Sequence, residues 1–368
     1  MSCPSFAEHL VAFSSIVDAA AIAGGSPYGC GSVRFRFSLC YTGGIDLQEV
    51  IAYVQERVEQ GVIDDPSNLK NVPVILFSGK NDFLVLLEVM RETAAQLSAF
   101  VPDKNLYRVF NTSAGHVWSL DHGECGCPSC SLGGANKCCD VNNCHYDLSG
   151  DVLRKAYGNL RPRVRATGQL HWVDQHHYIP KPANSSVAAR GGPTGHASLL
   201  FEDFAHPQLQ PSPLQSPSPL PSPSPLPSPS PLPSPAVRGT TLLRYGIVYV
   251  STGCKGREDA CRVHVNYHGC MSEDWEERER WVHSLDLNEY AEANDLIIVY
   301  PQAAGDAHIG RGCWNWASYI DDPFFDTRRG IQLGTVHALV QDLPNALLRS
   351  RLSPPGPDEL DAISIELA

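Results

Sequence analysis

Val72-Pro-Val-Ile-Leu-Phe77 leads straight into Ser78-Gly-Lys-Asn-Asp82, and Leu106-Tyr-Arg-Val-Phe110 leads into Asn111-Thr-Ser-Ala-Gly-His116. Each is a short run rich in apolar residues and bounded by turn formers, which reads as a buried strand. Between them, Leu84 to Phe100 has the length and spacing of a helix. Parallel neighbours need a crossover of this kind. The acid and the imidazole are therefore expected at the same end of two parallel strands, in an α/β fold.

A strand ending in an acid, a helix, then a strand ending in a histidine is the order in which α/β-hydrolases present the last two members of a catalytic triad. The nucleophile should come earlier, in a Gly-x-Ser-x-Gly elbow between a strand and a helix. No such elbow occurs in the chain.

Composition narrows the alternatives. The 368 residues carry a net charge of −12 and no basic cluster, which speaks against nucleic acid or an anionic membrane surface as partner. No stretch is long and apolar enough to span a bilayer. Phe6 to Gly25 is apolar, but Glu8 and Asp18 interrupt it and no Lys or Arg precedes Arg34, so a core helix fits better than a signal peptide. Thirteen cysteines suggest an oxidising compartment, and their odd number leaves at least one thiol, here assigned to Cys3, without an internal partner.

Working outward, residues 1 to 24 read as a helix followed by a small-residue strand ending at Gly24-Gly25. Asp46 to Gln60, Ser149 to Tyr157, Ser284 to Ala293 and Gly330 to Leu343 read as helices, the last stopped by Pro344. Tyr245 to Val250 and Arg262 to Tyr267 read as paired strands with Cys254 and Cys261 bounding their turn, and Leu296 to Tyr300 as a short buried strand. Residues 207–235 repeat Pro-Ser-Pro-Leu, a composition that excludes helix and inner strand and favours polyproline II. The expected division is a first hydrolase segment (1–206), a disordered Pro/Ser-rich insertion (207–235), a second segment (236–348) and a disordered tail (349–368).

His268-Gly269-Cys270 follows the strand Val263 to Tyr267. A glycine just past a strand end lets a backbone N–H point at a developing oxyanion. On its own the pair is a weak signal, and a plain turn is the expected reading. The wider pattern resembles a known family, the circularly permuted extracellular poly(3-hydroxybutyrate) depolymerases. The matching segments are Ala23-Gly-Gly-Ser-Pro-Tyr-Gly-Cys30, Gly79-Lys-Asn-Asp82, Ala114-Gly-His116, Asn143-Cys-His-Tyr-Asp147, His268-Gly-Cys270, Tyr290-Ala-Glu-Ala-Asn294, Tyr300-Pro-Gln-Ala303 and Gly312-Cys-Trp-Asn-Trp316. They lie in the family's order and cover the chain from residue 6 to about 345 outside the insertion.

The resemblance implies a circularly permuted α/β-hydrolase with a mostly parallel central sheet flanked by helices. Asp82 would be the triad acid, His116 the general base and the Cys270 amide an oxyanion donor, while Trp314 and Trp316 are similar to an aromatic pair near the family's substrate crevice. Cys30–Cys40 and Cys254–Cys261 would close short loops, and Cys270–Cys313 would tie the oxyanion loop to the tryptophan segment. Cys125, Cys127, Cys130, Cys138, Cys139 and Cys144 form a cluster of undeduced connectivity, with Cys130 and Cys144 among the disulfide candidates. Zinc is the alternative there, but no metal or cofactor is expected.

The departure from the family lies at the front. Backward extension places the nucleophile just before Met1, because Ser2 and Ser5 fall on the helical side with no strand behind them. The central strand carrying the nucleophile is then missing too, and a truncated reading frame accounts for both. The expected function is a secreted, monomeric serine carboxylic-ester hydrolase that cleaves a polyester or its oligomers, nearly inert as this chain stands. The alternatives are a feruloyl or acetyl esterase of the same fold, or a non-catalytic polymer- or cell-wall-binding pseudoenzyme.

Overall fold

A computed structural model of the protein describes residues 6–32, 37–128, 140–180, 241–270, 275–305, 312–317 and 322–356. All of them belong to the unit formed by residues 1–180 and 236–368. Ser2, Cys3, Ser5, Cys130, Cys138, Cys139 and the Pro/Ser-rich stretch 207–235 lie outside the described residues.

Three strands form the first sheet: β1 (Ala20–Ala23), β2 (Val74–Phe77) and β3 (Leu106–Val109), all parallel, with Val74 opposite Leu106 and Phe77 opposite Val109. β2 is apolar and buried at every position, as a strand covered on both faces must be. β4 (Trp118–Leu120) and β5 (Val141–Asn143) make a small parallel pair. The second sheet contains β6 (Gln169–Asp174), β7 (Tyr245–Val250), β8 (Arg262–Val265) and β9 (Leu296–Tyr300) in the order β6-β7-β9-β8.

The helices are α1 (Phe6–Ala12), α2 (Leu39–Thr42), α3 (Leu47–Glu59), α4 (Leu87–Leu97), α5 (Leu148–Tyr157), α6 (Trp275–Ser284), α7 (Leu287–Asn294), α8 (Ile331–Gln341) and α9 (Leu343–Leu348). Local chemistry fixes several starts. The Asp46 carboxylate accepts the amides of Gln48 and Glu49 ahead of α3, and Asp147 accepts the Gly150 amide at the start of α5.

Both sheets lie between the same two helical layers. On one face, Ile75 and Phe77 of the first sheet and Tyr249 and Ile298 of the second share a core with Leu148 of α5 and Ala291 of α7. On the other, Ile22 and Leu76 pack with Leu10 of α1 and Leu333 of α8. Val248 and Val299 pack there with Leu339 of α8 and Leu343 of α9. The architecture is a three-layer α/β/α stack whose central layer is split.

β1 and β8 are the edges that face each other across the split, and together they line a cavity of about 470 Å³. They start at the same end. The Arg262 guanidinium lies 4.5 Å from the centre of the Tyr157 ring, and Asp18, just ahead of β1, acts electrostatically on the same Tyr157. The loops after β1, β2, β3 and β8 therefore all emerge at one edge of the layer.

Several expectations need correcting. β7 and β8 do not pair with each other, because β9 lies between them, antiparallel to β7 and parallel to β8. All five residues of β9 are buried, so it takes a neighbour on each side. Pro344 does not end the closing helix. It sits in the first turn of α9, where its missing N–H has no helical partner to lose. The tail is ordered beyond 349, since Arg351 exchanges backbone hydrogen bonds with Trp172 of β6. β6 has no counterpart among the expected strands, nor α6 among the expected helices, while the helix expected over 284–293 is α7.

Candidate active site

The two loops that carry Asp82 and His116 are laced together by their backbones. Ser78 N–H donates to Val109 O (3.1 Å), Lys80 N–H to Thr112 O (3.0 Å) and Asn81 N–H to Ala114 O (3.0 Å). The Asn81 side chain adds a bond to Ser113 O at 2.8 Å. Gly79 makes this approach possible, because a Cβ there would lie 1.9 Å from Ala114 O.

Held this way, Asp82 Oδ2 and His116 Nδ1 come within 2.9 Å of each other, and both residues are only 7% exposed. The other carboxylate oxygen, Oδ1, accepts the Leu84 and Val85 amides, each at 3.0 Å. Asp82 thus caps the turn into α4 with one oxygen and faces the imidazole with the other. A carboxylate fixed on Nδ1 selects the tautomer whose lone pair lies on Nε2, the form a general base needs.

The His268-Gly269-Cys270 loop leaves β8 at the same edge of the layer. His268 is 1% exposed; its Nε2 accepts the Ala303 amide at 3.0 Å, and its Nδ1 contacts Gly269 O. The Arg278 guanidinium, fully buried, lies 3.1 Å from His268 Nε2 and donates to Gln302 Oε1 (2.7 Å) and Ala303 O (2.8 Å). Burial, reinforced by Arg278, holds the imidazole pKa well below its usual range, so His268 is a neutral clamp on the loop backbone. Cys270 is anchored again by its disulfide to Cys313. The Arg278–His268 clamp has no sequence signature, because it joins α6 to two separate strand ends.

Trp314 and Trp316 are both buried side chains. They are 1% and 2% exposed. Trp314 packs edge-on against Tyr267 at 4.8 Å, and Trp316 stacks on Phe37 at 4.8 Å. Apolar rings this large have more to gain from burial under the oxyanion-type loop than from exposure. Phe37, 42% exposed, and the half-buried Tyr41 are the aromatics of this cluster that reach solvent.

The structure pairs Cys30 with Cys40, Cys254 with Cys261 and Cys270 with Cys313. In the central cluster Cys144 pairs with Cys127. Among the described residues, Asp121, His122 and Asp286 form a group that could bring three ligand atoms together. Arg163 already lies 2.8 Å from Asp121 and 3.3 Å from Asp286, supplying positive charge to that group.

A buried carboxylate–imidazole pair at the carboxyl edge of a parallel sheet, inside an α/β/α stack, is the arrangement in which α/β-hydrolases hold the acid and base of their triad. No protein-family model matches the chain. It is 24% identical over 360 residues to a poly(3-hydroxybutyrate) depolymerase of Delftia acidovorans, covering 96% of this chain and 59% of that protein. It is 24% identical over 345 residues to a polyhydroxybutyrate depolymerase of Talaromyces funiculosus, covering 90% of this chain and 84% of that protein. The chain thus spans about three fifths of the length of the Delftia relative.

Two solved structures share the fold. One is a PHB depolymerase with a serine-to-alanine substitution, complexed with an R3HB trimer (TM-score 0.69, 22% identity, 93% of this chain and 92% of that one). The other is a PHB depolymerase from Penicillium funiculosum (TM-score 0.68, 21% identity, the same coverages). The chain is thus similar in sequence to two poly(3-hydroxybutyrate) depolymerases and shares the fold of two solved ones.

Proposed function

We propose that this chain carries the acid–base half of a secreted serine carboxylic-ester hydrolase acting on a hydroxyalkanoate polyester or its oligomers. The observation behind the reading is the buried Asp82–His116 contact at 2.9 Å. His116 takes the proton of a serine hydroxyl through Nε2 while the serine oxygen bonds to the ester carbonyl carbon. The Cys270 N–H donates to the resulting oxyanion. As the tetrahedral intermediate collapses, the C–O bond to the leaving alcohol breaks and His116 returns the proton to that oxygen. Water then repeats the sequence on the acyl-enzyme and releases the acid.

The serine is assigned to a segment ahead of α1, because the Gly-x-Ser-x-Gly elbow is absent from the 368 residues. Without it, turnover is expected to fall by roughly 10⁶-fold, the loss seen when a triad's nucleophile is removed. The polyester substrate follows the names of the two relatives and the R3HB trimer held in the solved complex. The chain order, with Asp82 and His116 before the His268 loop, supports a permuted hydrolase topology. Four disulfides among the described residues fit an oxidising, extracellular setting.

The test is to place an apolar strand and a Gly-x-Ser-x-Gly elbow ahead of Phe6, then assay a short nitrophenyl ester, hydroxybutyrate oligomers and fluorophosphonate labelling. The extended protein is expected to gain all three activities, and the 368-residue chain to show none. A folded extended protein silent on every ester would overturn the esterase reading in favour of a binding role. Activity on feruloyl or acetyl esters alone would overturn the polyester assignment.

A further inference from the structure

A second cavity, of about 250 Å³, lies between the loop after β4 and one face of α6. None of its lining residues belongs to the Asp82–His116 contact or to the Cys270 loop. Local bonds hold its first wall in place. Asn142 Nδ2 donates to Gly126 O at 2.8 Å, and Asn143 N–H donates to Cys125 O at 2.7 Å. The Cys127–Cys144 disulfide ties the same loop to the residue just past β5. The second wall is helical. Glu277, Arg280, Trp281 and Ser284 are spaced three and four apart, which puts them on one face of α6. Trp281 is fixed by an edge-on contact with Trp118 at 6.3 Å.

Each wall carries a buried polar atom with no hydrogen-bond partner among the described residues: Asn142 Oδ1 on one, Trp281 Nε1 on the other. Asn142 is 1% exposed and Trp281 5%. The amide has only one orientation that works, because only Nδ2 can donate to the Gly126 carbonyl. An acceptor is therefore left over on the first wall. An indole can only donate, so a donor is left over on the second. Buried polar atoms in folded proteins are nearly always paired, and this complementary couple calls for a group that both donates and accepts. A hydroxyl does both. The charges around the cavity point the same way. Glu124, Asp140 and Glu277 repel an anion, whereas Arg280 and the Trp281 N–H repel a cation. A neutral ligand rich in hydroxyls satisfies both sets, donating to the carboxylates and accepting from the guanidinium.

We infer that this cavity binds one sugar unit of a neutral saccharide. Asn142 Oδ1 and Trp281 Nε1 pair with sugar hydroxyls at its inner end, and Glu277 and Arg280 hold further hydroxyls nearer solvent. The volume is below that of a pocket for a drug-sized ligand and suits a single ring. Such a site would tether the protein to a polysaccharide. It stands whether or not Asp82 and His116 serve an esterase.

The experiment is titration of the isotope-labelled 368-residue chain with glucose, xylose and galactose, followed at the Trp281 indole N–H by heteronuclear NMR. At least one sugar is expected to shift that resonance saturably, with a Kd of about 1–10 mM. Trp281→Phe keeps a ring and removes the donor. It identifies the resonance by its loss and should weaken binding about tenfold, read from saturation transfer to the sugar. Glu277→Gln tests the outer contacts if that variant fails to fold, with a loss of about threefold expected. The absence of a saturable shift with all three sugars would overturn the inference. So would a larger shift with tetramethylammonium or acetate, since the site would then select charge. Unchanged affinity in a folded Trp281→Phe or Glu277→Gln protein would overturn it as well.

Discussion

The two edges of β1 and the strands beside it behave in opposite ways. On the β2–β3 side, Gly79 is pressed against Ala114, the loops exchange backbone hydrogen bonds, and Asp82 and His116 meet at 2.9 Å in a buried setting. On the β8 side, the strand edges line a cavity of about 470 Å³ and do not pair with each other. The difference shows that the acid–base pair depends on local pairing of β2 with β3 and not on closure of the layer. A buried carboxylate–imidazole pair can therefore be fully organised beside two strand edges that do not pair with each other.

The largest effect should come from the organised side once a nucleophile is restored. In the strand- and serine-extended chain, His116→Ala is expected to lower kcat on a nitrophenyl ester by roughly 10⁶-fold, and Asp82→Asn by roughly 10⁴-fold. The gap between the two values follows from their roles, since the imidazole moves the proton and the carboxylate sets its tautomer. Steady-state kinetics of the two variants check this. Equal, small losses would mean that the pair is structural.

Next in size is the anchor on the β8 side. Cys270–Cys313 closes a span of 43 residues and Cys254–Cys261 one of 7. Loop-closure entropy assigns about 4 kcal/mol to the first and about 2 kcal/mol to the second. Paired Cys→Ser variants in urea denaturation should differ accordingly. In the extended enzyme, only loss of Cys270–Cys313 should also lower kcat, because it alone holds the proposed oxyanion amide.

Smaller again is the test of the lacing. Gly79→Ala puts a methyl where the Ala114 carbonyl stands, and overpacking of this kind costs about 1–3 kcal/mol. The two loops must separate, so the extended enzyme should lose about 100-fold in activity, as for a misplacement of about 1 Å. Stability and activity falling together would tie the lacing to the site. A variant that is destabilised but fully active would separate them.

These contrasts also explain what can be read from the residues alone. Asp82 and His116 are legible because each lies within a few residues of its own strand, and the short-span pairs Cys30–Cys40 and Cys254–Cys261 because their loops are local. Partner choice is not legible. An apolar run such as Leu296–Tyr300 says that a strand is buried but not that it will separate β7 from β8. Trp314 and Trp316 look the same in sequence whether they line a crevice or fill a core. The Cys127–Cys144 pairing depends on how a cysteine-dense loop is folded, which spacing does not fix.

The smallest predicted effect concerns how α1 is held while one of its sides faces the split. His9 and Leu10 look toward the cavity, whereas Glu8 is only 1% exposed and lies in range of the buried Asp326. Burial, with Asp326 adding to it, pushes the Glu8 carboxyl well above its ordinary value of 4.5. The folded protein then keeps a proton that the unfolded chain releases above pH 4.5, so this group's contribution to stability falls as pH rises from there toward the folded pKa. The loss is about 1.4 kcal/mol per pH unit within that window. His9, His264 and His268 work in the opposite direction, because burial lowers their pKa values and their contribution is lost as pH falls through about 6.5. Asp322 and Asp326 are raised by burial as Glu8 is, so the wild-type profile alone would mix all of these. Glu8→Gln isolates one group. Its stability relative to wild type, from urea melts between pH 5 and pH 8, should rise with pH and favour the variant most at the alkaline end. A flat difference would show that Glu8 is ionised in the fold, and that α1 is held by its apolar face alone.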